Sequence, residues 1–476
     1  MNIKSYIKQL LIYYFLIFTF NSFSQKKITL GDFISNIEKT RNAIKNKKNK
    51  QLFEKDKKLF NKEFLPNVSL NFSLPYNRSI IEVPQPDGNF AFRESNSASS
   101  RLNLSLSQKI PFTGGKLIVS NSLNRLDLFG DTQNSTSYSA TWFGVNFSQP
   151  LIFFNEIKWD KEIQNTKSDF NEILYIRDNV DTKRKIINHY FELLKANEQK
   201  VLLLFQMDIT KRYKKKIIYL INAGKIMSTD SIDIELKLLD LKRKTVSIKR
   251  FENLKKTAVN NFFGSKLLLN NYNLEIPKGN LKINSASFYI KEYLRTHNLL
   301  EKKRLLPIKK NIEKTKKSML YEGNLSLGIG FNNSSDFFNN VFQNPNQSQN
   351  LAISLNIPII DFGKRKTELE ITKLEYEIEI INLEQEKSHT NDNIFILHGE
   401  IVSLIENLKI QEARINLLKK KLKTMKDLLF TRKILFKDYS ETENILYVAK
   451  NEKIELIQKI YLNIVELEKI TLVKIL

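Results

Sequence analysis

The sequence contains no cysteine among its 476 residues. That excludes disulfides, thiolate metal sites, a cysteine nucleophile and a lipid-modified N-terminal cysteine. Histidine is almost absent as well. His189, His297, His389 and His398 are scattered, with no two at close ligand spacing, which argues against a histidine-rich metal centre. Glycine (14) and proline (10) are scarce for this length, so little interrupts long helices. A mean hydropathy of −0.34 excludes a bundle of membrane-spanning helices. No catalytic constellation stands out. Acid pairs on long helical stretches read as solvated faces, and four scattered histidines build no Ser-His-Asp set. The chain does not read as an enzyme, and the sequence implies no cofactor.

What is abundant is lysine. Lys and Arg number 76 against 51 Asp and Glu, a formal net charge of +25. The lysine comes with much asparagine and isoleucine, the composition an AT-rich coding bias produces. The charge alone therefore does not call for nucleic acid. The N-terminus points the same way. Lys4 and Lys8 precede an apolar run from Leu10 to Phe20, and Ser22 and Ser24 stand three residues and one residue before a cleavage ahead of Gln25. The run is shorter than the roughly 20 apolar residues of a spanning helix. Residues 1–24 are expected to be an export signal, which separates the mature chain from genomic DNA and RNA.

The remainder reads as two passes of one pattern. Thr40-Arg41-Asn42-Ala43-Ile44 is echoed by Thr296-His297-Asn298-Leu299-Leu300, and Asn67-Val68-Ser69-Leu70 by Asn324-Leu325-Ser326-Leu327. Val145 to Ile152 is echoed by Ile353 to Ile360, and Gly224 to Ile232 by Lys437 to Ile445. Each pass runs as a lysine-rich helix, a β segment, a very long helix, a short break and a shorter helix. Pro307 is expected to kink or break the leading helix of the second pass.

The β segments alternate with a period of two. Val68, Leu70, Phe72 and Leu74 alternate with Asn67, Ser69, Asn71 and Ser73; the same holds around Leu102–Leu106, Val145–Phe147, Leu325–Phe331 and Leu351–Ile357. The polar face is Ser, Asn and Gly rather than charged. That is the pattern of a transmembrane β-barrel with an apolar outside and a wet inside. A sheet packed on a soluble core is the alternative. Tyr138, Trp142, Phe143, Phe153 and Phe154 lie near strand ends, where an aromatic girdle would sit. Residues 76–100 read as an exposed loop, with 336–349 as its counterpart. With a further strand from Lys116, the first pass carries four strands and the second two.

From Glu156 to Asn222 no Pro or Gly occurs, and from Lys364 to Phe436 only Gly399. Such a segment is about 100 Å of helix. Leu397, Ile401, Leu404, Leu408, Ile415, Leu418, Leu422, Met425 and Leu429 step by four and three, a coiled-coil seam that skips Gln411. Ile173, Val180, Ile187, Leu194 and Val201 recur every seven residues. Asn222-Ala223-Gly224 reads as a glycine-capped helix end. Ser228 or Thr229 can cap the next helix, with Asp230 and Asp233 in its first turn. In the second pass Asp438 or Ser440 can cap, with Glu441 and Glu443 following. These acids are cap and dipole partners, or an acidic constriction at a helical tip.

In this order and spacing the chain, over residues 26–476, resembles the outer-membrane efflux protein (TolC) family. The motifs that carry the resemblance are Phe64-Leu65-Pro66 before the first strand, Gln149-Pro150-Leu151 at a strand exit, Pro358 at the matching exit of the second pass, and the Gly224 to Asp230 tip turn. Pro111 to Gly115 and Asn155 to Trp159 resemble a subgroup. The resemblance implies an α+β membrane protein. Outer-membrane barrel strands would stand on a long periplasmic coiled-coil barrel, with an internal two-fold repeat, in a homotrimer. The divisions it implies are a signal peptide (1–24), a leading helix (25–65), strands and extracellular loops (66–154), a helical hairpin and linker (155–285), a second leading helix (286–320), a β-hairpin (321–360) and a second helical hairpin (361–476).

The implied function is a passive gated duct of a tripartite efflux system. It would dock a periplasmic adaptor and an inner-membrane pump, and it would lie in outer-membrane lipid. Gly224, Asp230, Asp233, Glu441 and Glu443 fall at the periplasmic tip, with Asp230 and Glu443 lining or flanking the aperture. Leu446 stands where some members carry a second acid, and Lys437 replaces the tip glycine of the second pass. A protein-secretion duct of the same fold and a non-channel coiled-coil surface stalk are the alternatives.

Overall fold

The computed structural model describes residues 26–129, 134–151, 154–225, 229–264, 272–279, 281–319, 321–431 and 433–476. The expected export signal and Phe153 lie outside them. The chain divides into two compact units. One holds residues 1–49, 173–295 and 389–476; the other holds 50–172 and 296–388. No helix of the described residues is long and apolar enough to cross a membrane.

The strand-bearing unit is built on one antiparallel sheet. Its strands are β2 (Asn67–Ser73), β3 (Tyr76–Pro84), β4 (Phe90–Lys109), β5 (Lys116–Phe129), β6 (Ser135–Pro150), β8 (Glu322–Ser335) and β9 (Asn346–Asn356). They lie in the order β2-β4-β5-β6-β8-β9, with β3 also on β4. Four strands come from the first pass, if β2 and β3 count as one row, and two from the second.

The alternation read from the sequence sets the two faces of this sheet. Val68, Leu106, Val119, Val145 and Ile329 stand in register across five strands. On the other face Ser69, Ser105, Ser120, Gly144, Gly330 and Ser348 form one row. A Cβ at Gly330 would lie 2.9 Å from the Phe143 carbonyl oxygen, so nothing larger fits there. The apolar face is bare: Leu70 is 64% exposed, Leu104 47%, Ile329 48% and Leu351 68%. Among the described residues no layer covers it, which argues against a sheet packed on a soluble core.

Residues 76–100 are not a loop. They form β3, a turn and the first half of β4, with Tyr76–Pro84 paired to Phe90–Ala98. Asp87 accepts a bond from the Asn89 backbone, and Gly88 supplies the positive φ (81°) that the turn needs. The stretch lacks the apolar alternation, yet backbone pairing holds it, together with the cross-strand Arg78–Glu94 ion pair at 3.0 Å. At the opposite end of the sheet, Asn155 ties two of the flagged motifs together. Its Nδ2 donates to the carbonyls of Pro111 and Phe112, both at 2.8 Å, while its Oδ1 accepts from Lys158 N at 3.1 Å and caps the next helix.

The helices are α1 (Leu30–Ser35), α2 (Arg41–Lys62), α3 (Glu156–Asn222), α4 (Thr229–Phe262), α5 (Ala286–Ser318), α6 (Lys364–Phe430) and α7 (Phe436–Thr471). α3 and α6 each run 67 residues. α5 continues through Pro307 without a break. One proline removes one backbone bond, which a helix of 33 residues tolerates where neither sequence neighbour is a breaker.

In the helical unit Ile187, Leu194, Ile401 and Leu408 of the predicted seams are buried, with Ile457, Ile460 and Ile464 from α7. Gln411, the skipped position, is buried too; its Nε2 donates to Ala449 O and Glu452 Oε2, both at 2.8 Å. Val201 departs from the reading and is exposed. The buried line on α3 resumes at Gln206, Ile209, Tyr213 and Ile217, out of phase with the first. Two short strands that the sequence did not announce, β1 (Lys26–Ile28) and β7 (Tyr272–Leu274), pair in parallel. The buried Tyr190 hydroxyl donates to the carbonyls of Ile28 and Glu275 beside them, and burial raises its pKa.

Lys183 and Glu468 form a buried ion pair at 2.7 Å. Glu468 also accepts the backbone N–H groups of Ile475 and Leu476, and Lys183 donates to the Leu476 carbonyl. Replacing Lys183 by Met strands the carboxylate and is expected to destabilise the protein by about 3 kcal/mol or more. The double variant with Glu468→Leu recovers much of that loss. Thermal unfolding in detergent reads both; a silent single variant would remove the pair from the account.

Candidate functional site: the helical tips

The tips of the helical unit are where α3 turns into α4 and α6 into α7. The first turn follows the glycine rule. Gly224 takes φ +70°, its N–H donates to Ile221 O, and Lys225 N donates to Leu220 O, which closes a Schellman cap. α4 starts at Thr229 and carries Asp230 and Asp233 near its start; the Asp230 side chain lies outside the described residues.

The second turn falls earlier than the repeat suggests. α6 ends at Phe430, Lys433 N donates to Leu428 O, and α7 begins at Phe436 with Leu435 as its cap residue and no side-chain cap bond. Asp438 and Ser440 are therefore inside the helix rather than caps, and Lys437 belongs to its first turn rather than to the tip turn. The match of Gly224–Ile232 to Lys437–Ile445 followed the similarity of the letters; the helix ends set the true offset.

Beneath the turns sits an apolar cluster of Ile209, Tyr213, Ile217, Ile234, Leu429 and Tyr439. Tyr213 stacks on Phe436 with ring centroids 5.1 Å apart. Beside it opens a cavity of about 570 Å³, lined by Asp233 and Lys237 from α4, Lys437, Ser440 and Glu441 from α7, and Tyr213 from α3. Asp233 and Glu441, expected at one tip, thus share one cavity with two lysines. Tyr213 and Lys237 were not anticipated. The only signal for Tyr213 was the second seam on α3, which begins at Gln206.

Glu443 is the main correction. It was expected to line or flank the aperture, but it is only 4% exposed. It borders a smaller cavity of about 250 Å³ with Glu198, Phe205, Leu446 and Lys450. Its position on the inward side of α7, in line with Tyr439 and Leu446, buries it. Burial raises its pKa from the ordinary 4.5 to about 7, against the opposing pull of Lys237 and of a hydrogen bond from Gln206. Its Oε1 has no hydrogen-bond partner among the described residues. The carboxyl is therefore half neutral near pH 7.

The strand-boundary residues lie in the other unit. Pro66 precedes β2, Gln149 and Pro150 end β6, and Pro358 follows β9. Gln149 Nε2 donates to Thr113 O at 2.8 Å, and a Cβ at Gly115 would lie 2.6 Å from Gln149 Oε1. Gln149 is thus fitted over the Pro111–Gly115 turn.

The raised acid has a definite sign. Below about pH 4.5 Glu443 is neutral in both folded and unfolded chains and costs nothing. As pH rises towards 7 the unfolded chain ionises first, and folding loses up to about 3 kcal/mol at this group. Glu443→Gln is expected to match the parent near pH 4.5 and to exceed it in stability by pH 8. A difference that does not change with pH would contradict this burial.

No protein-family model matches the sequence, and no curated protein matches it either. Solved structures do match its fold. One is CusC, a transmembrane channel, with a TM-score of 0.66 and 14% identity over 94% of this chain and 92% of that one. Another is the CmeC outer membrane channel of Campylobacter jejuni, with a TM-score of 0.61 and 12% identity over 93% and 85%. A third is the outer membrane protein VceC of Vibrio cholerae, with a TM-score of 0.60 and 10% identity over 93% and 95%. The chain has the fold of these outer-membrane channels, the TolC fold that its sequence resembles.

Proposed function

We propose that the protein is the outer-membrane channel of a tripartite efflux system. It is a passive, gated duct that takes small molecules from a periplasmic adaptor and an inner-membrane pump and releases them across the outer membrane. The observation that carries this reading is the sheet. One face is apolar and uncovered across its strands, the other is lined with Ser, Asn and Gly, and bilayer lipid outside with water inside is the setting that suits both. A surface stalk has no use for such a sheet.

The homotrimer is supported by what the helices leave unsatisfied. α4 exposes Ile232, Leu236, Leu239, Val246 and Leu254, and α6 exposes Ile371, Leu374, Ile378 and Ile381. These recur at three, four, seven and eight residues, a second seam beside the one used inside the chain. Identical neighbours would cover it, and their helices would wall a periplasmic tunnel. The two passes of helix, strands, 67-residue helix and shorter helix support a doubled building unit. The tip acids Asp230, Asp233 and Glu441 flank the periplasmic mouth, while Glu443 acts from inside the helical layer. The cavity with Lys237, Lys437, Asp233 and Glu441 offers the adaptor a surface of mixed charge.

The test is planar-bilayer conductance of the purified protein, with oligomeric mass measured on the same sample. A three-chain particle giving discrete steps is expected. The Asp233→Asn, Glu441→Gln double variant is expected to retain the steps and to lower cation preference, read as a shift in reversal potential. A monomeric, silent protein that does not enter lipid would overturn the reading.

A further inference from the structure

Lysine runs through the helices but nearly stops at the strands. Between Asn67 and Pro150 the only lysines are Lys109 and Lys116, and none lies between Glu322 and Asn356. A coding bias that enriches lysine does not respect strand ends, so these two positions need a reason of their own. Lys109 and Lys116 stand directly opposite each other on the last paired rung of β4 and β5. Like charges so placed repel, and the ladder gains nothing from them.

The register says which face they are on. β4 and β5 pair without a shift from Asn96 to Lys109, so alternate residues of β4 share a face. Lys109 lies with Ser107, Ser105 and Asn103 on the polar face, and the next cation on that face is Arg101. Leu102, Leu104 and Leu106 alternate with them, so this stretch is backed by the bare apolar side. It covers roughly 27 Å of strand at about 3.4 Å per residue. Across the neighbouring strands its partners are Asn, Ser, Gly and Thr, with Ile118 and Ala352.

No acid joins the cations there. The acids of the strands are Glu82, Glu94, Asp127 and Glu322. Asp127 shares a rung with Ala98 on the apolar side, and Glu94 and Glu82 lie farther along that same side. Glu322 falls on the polar face but outside the stretch, on the helix side of Ser326. Lys109 pairs with Glu63 at 3.2 Å, with both side chains about half exposed, and such a surface pair is weak. Arg101 Nε donates to Asn124 Oδ1 at 2.8 Å, a neutral partner. Among the described residues Lys116 has no ion pair.

We propose that the membrane-crossing part of the duct selects for anions, with Lys116, Lys109 and Arg101 as the selecting residues, and that the small molecules it passes best are organic anions. The proposal rests on the channel reading above, under which the polar face is the wet one. Charges fixed on the wall of a water-filled pore through lipid act with low-dielectric material behind them. The field stays in the pore, concentrating one sign of ion and excluding the other. Here the wall carries cations at both ends and uncharged hydrogen-bonding side chains between. An anion is drawn in at one end and out at the other, with no charge to hold it midway.

The test is the chloride-to-potassium permeability ratio of single channels in a planar bilayer under a potassium chloride gradient, repeated with benzenesulfonate in place of chloride. The variants are the double Lys109→Gln, Lys116→Gln, the double Lys109→Arg, Lys116→Arg, and Arg101→Gln. The glutamine double variant is expected to lower both anion ratios severalfold at low salt, a shift opposite in sign to that of the tip-acid variant. The arginine double variant is expected to keep the parent's ratios, since it keeps the charge. The difference is expected to shrink in concentrated salt, where the screening length falls from about 10 Å at 0.1 M to about 3 Å at 1 M. Arg101→Gln, at the other end of the stretch, carries the same expectation, so a double variant that fails to assemble does not end the test. Ratios that stay at the parent's value in the glutamine variants, or an arginine variant that behaves like the glutamine one, would overturn the proposal and leave the channel reading standing. A parent that gives no steps would overturn the channel reading itself.

Discussion

The structure depends on one constraint: a sheet with an uncovered apolar face and two unpaired edges is stable only where lipid meets the face and strands meet the edges. Water would leave Leu70, Leu104, Ile329 and Leu351 bare. Lipid without closure would leave backbone donors and acceptors of β2 and β9 unpaired. The rest of the chain is arranged around that condition. Small residues such as Gly330, Ser348, Ser69 and Ser105 keep the opposite face open. Asn155 clamps the Pro111–Gly115 turn to the start of α3, so the sheet and a 67-residue helix are joined by hydrogen bonds as well as by the chain.

The helices carry a related condition. One apolar seam is consumed inside the chain, at Ile187, Leu194, Ile401 and Leu408. A second is left on α4 and α6. A lone chain with both an open sheet and an open seam is an incomplete object, and the same neighbouring copies would complete both. The buried Lys183–Glu468 pair holds the last residues of the chain against this helical layer. The tips, by contrast, combine a compact aromatic cluster with a buried, partly neutral Glu443.

Periodicity made the sheet and the helices legible in the sequence. Alternation over Val68–Leu74 and Leu351–Ile357, and steps of three and four over Leu397–Leu429, were enough to place strands and seam, and Gly224 announced its own cap. The failures occurred where periodicity carries no information. The β3–β4 hairpin lacks a sustained alternation of apolar and polar residues, so it read as a loop although backbone bonds and the Arg78–Glu94 pair hold it. Val201 continued a count of seven after the buried line on α3 had changed phase. Pro307 was given the power to break a helix that 33 residues sustain. Glu443 was grouped with its neighbouring acids at the tip; only the rotation of α7 decides which of them turns inward. The second tip turn was misplaced because a match of letters between Gly224 and Lys437 ignored where the helices stop.

Amide hydrogen exchange of the protein in lipid tests closure most directly. The account predicts that backbone amides of the edge strands β2 and β9 exchange as slowly as those of the interior strands β5 and β6, because each edge is paired with a neighbouring copy. Edge amides that exchange fast in lipid, while β5 and β6 stay protected, would mean that the sheet remains open and would contradict it.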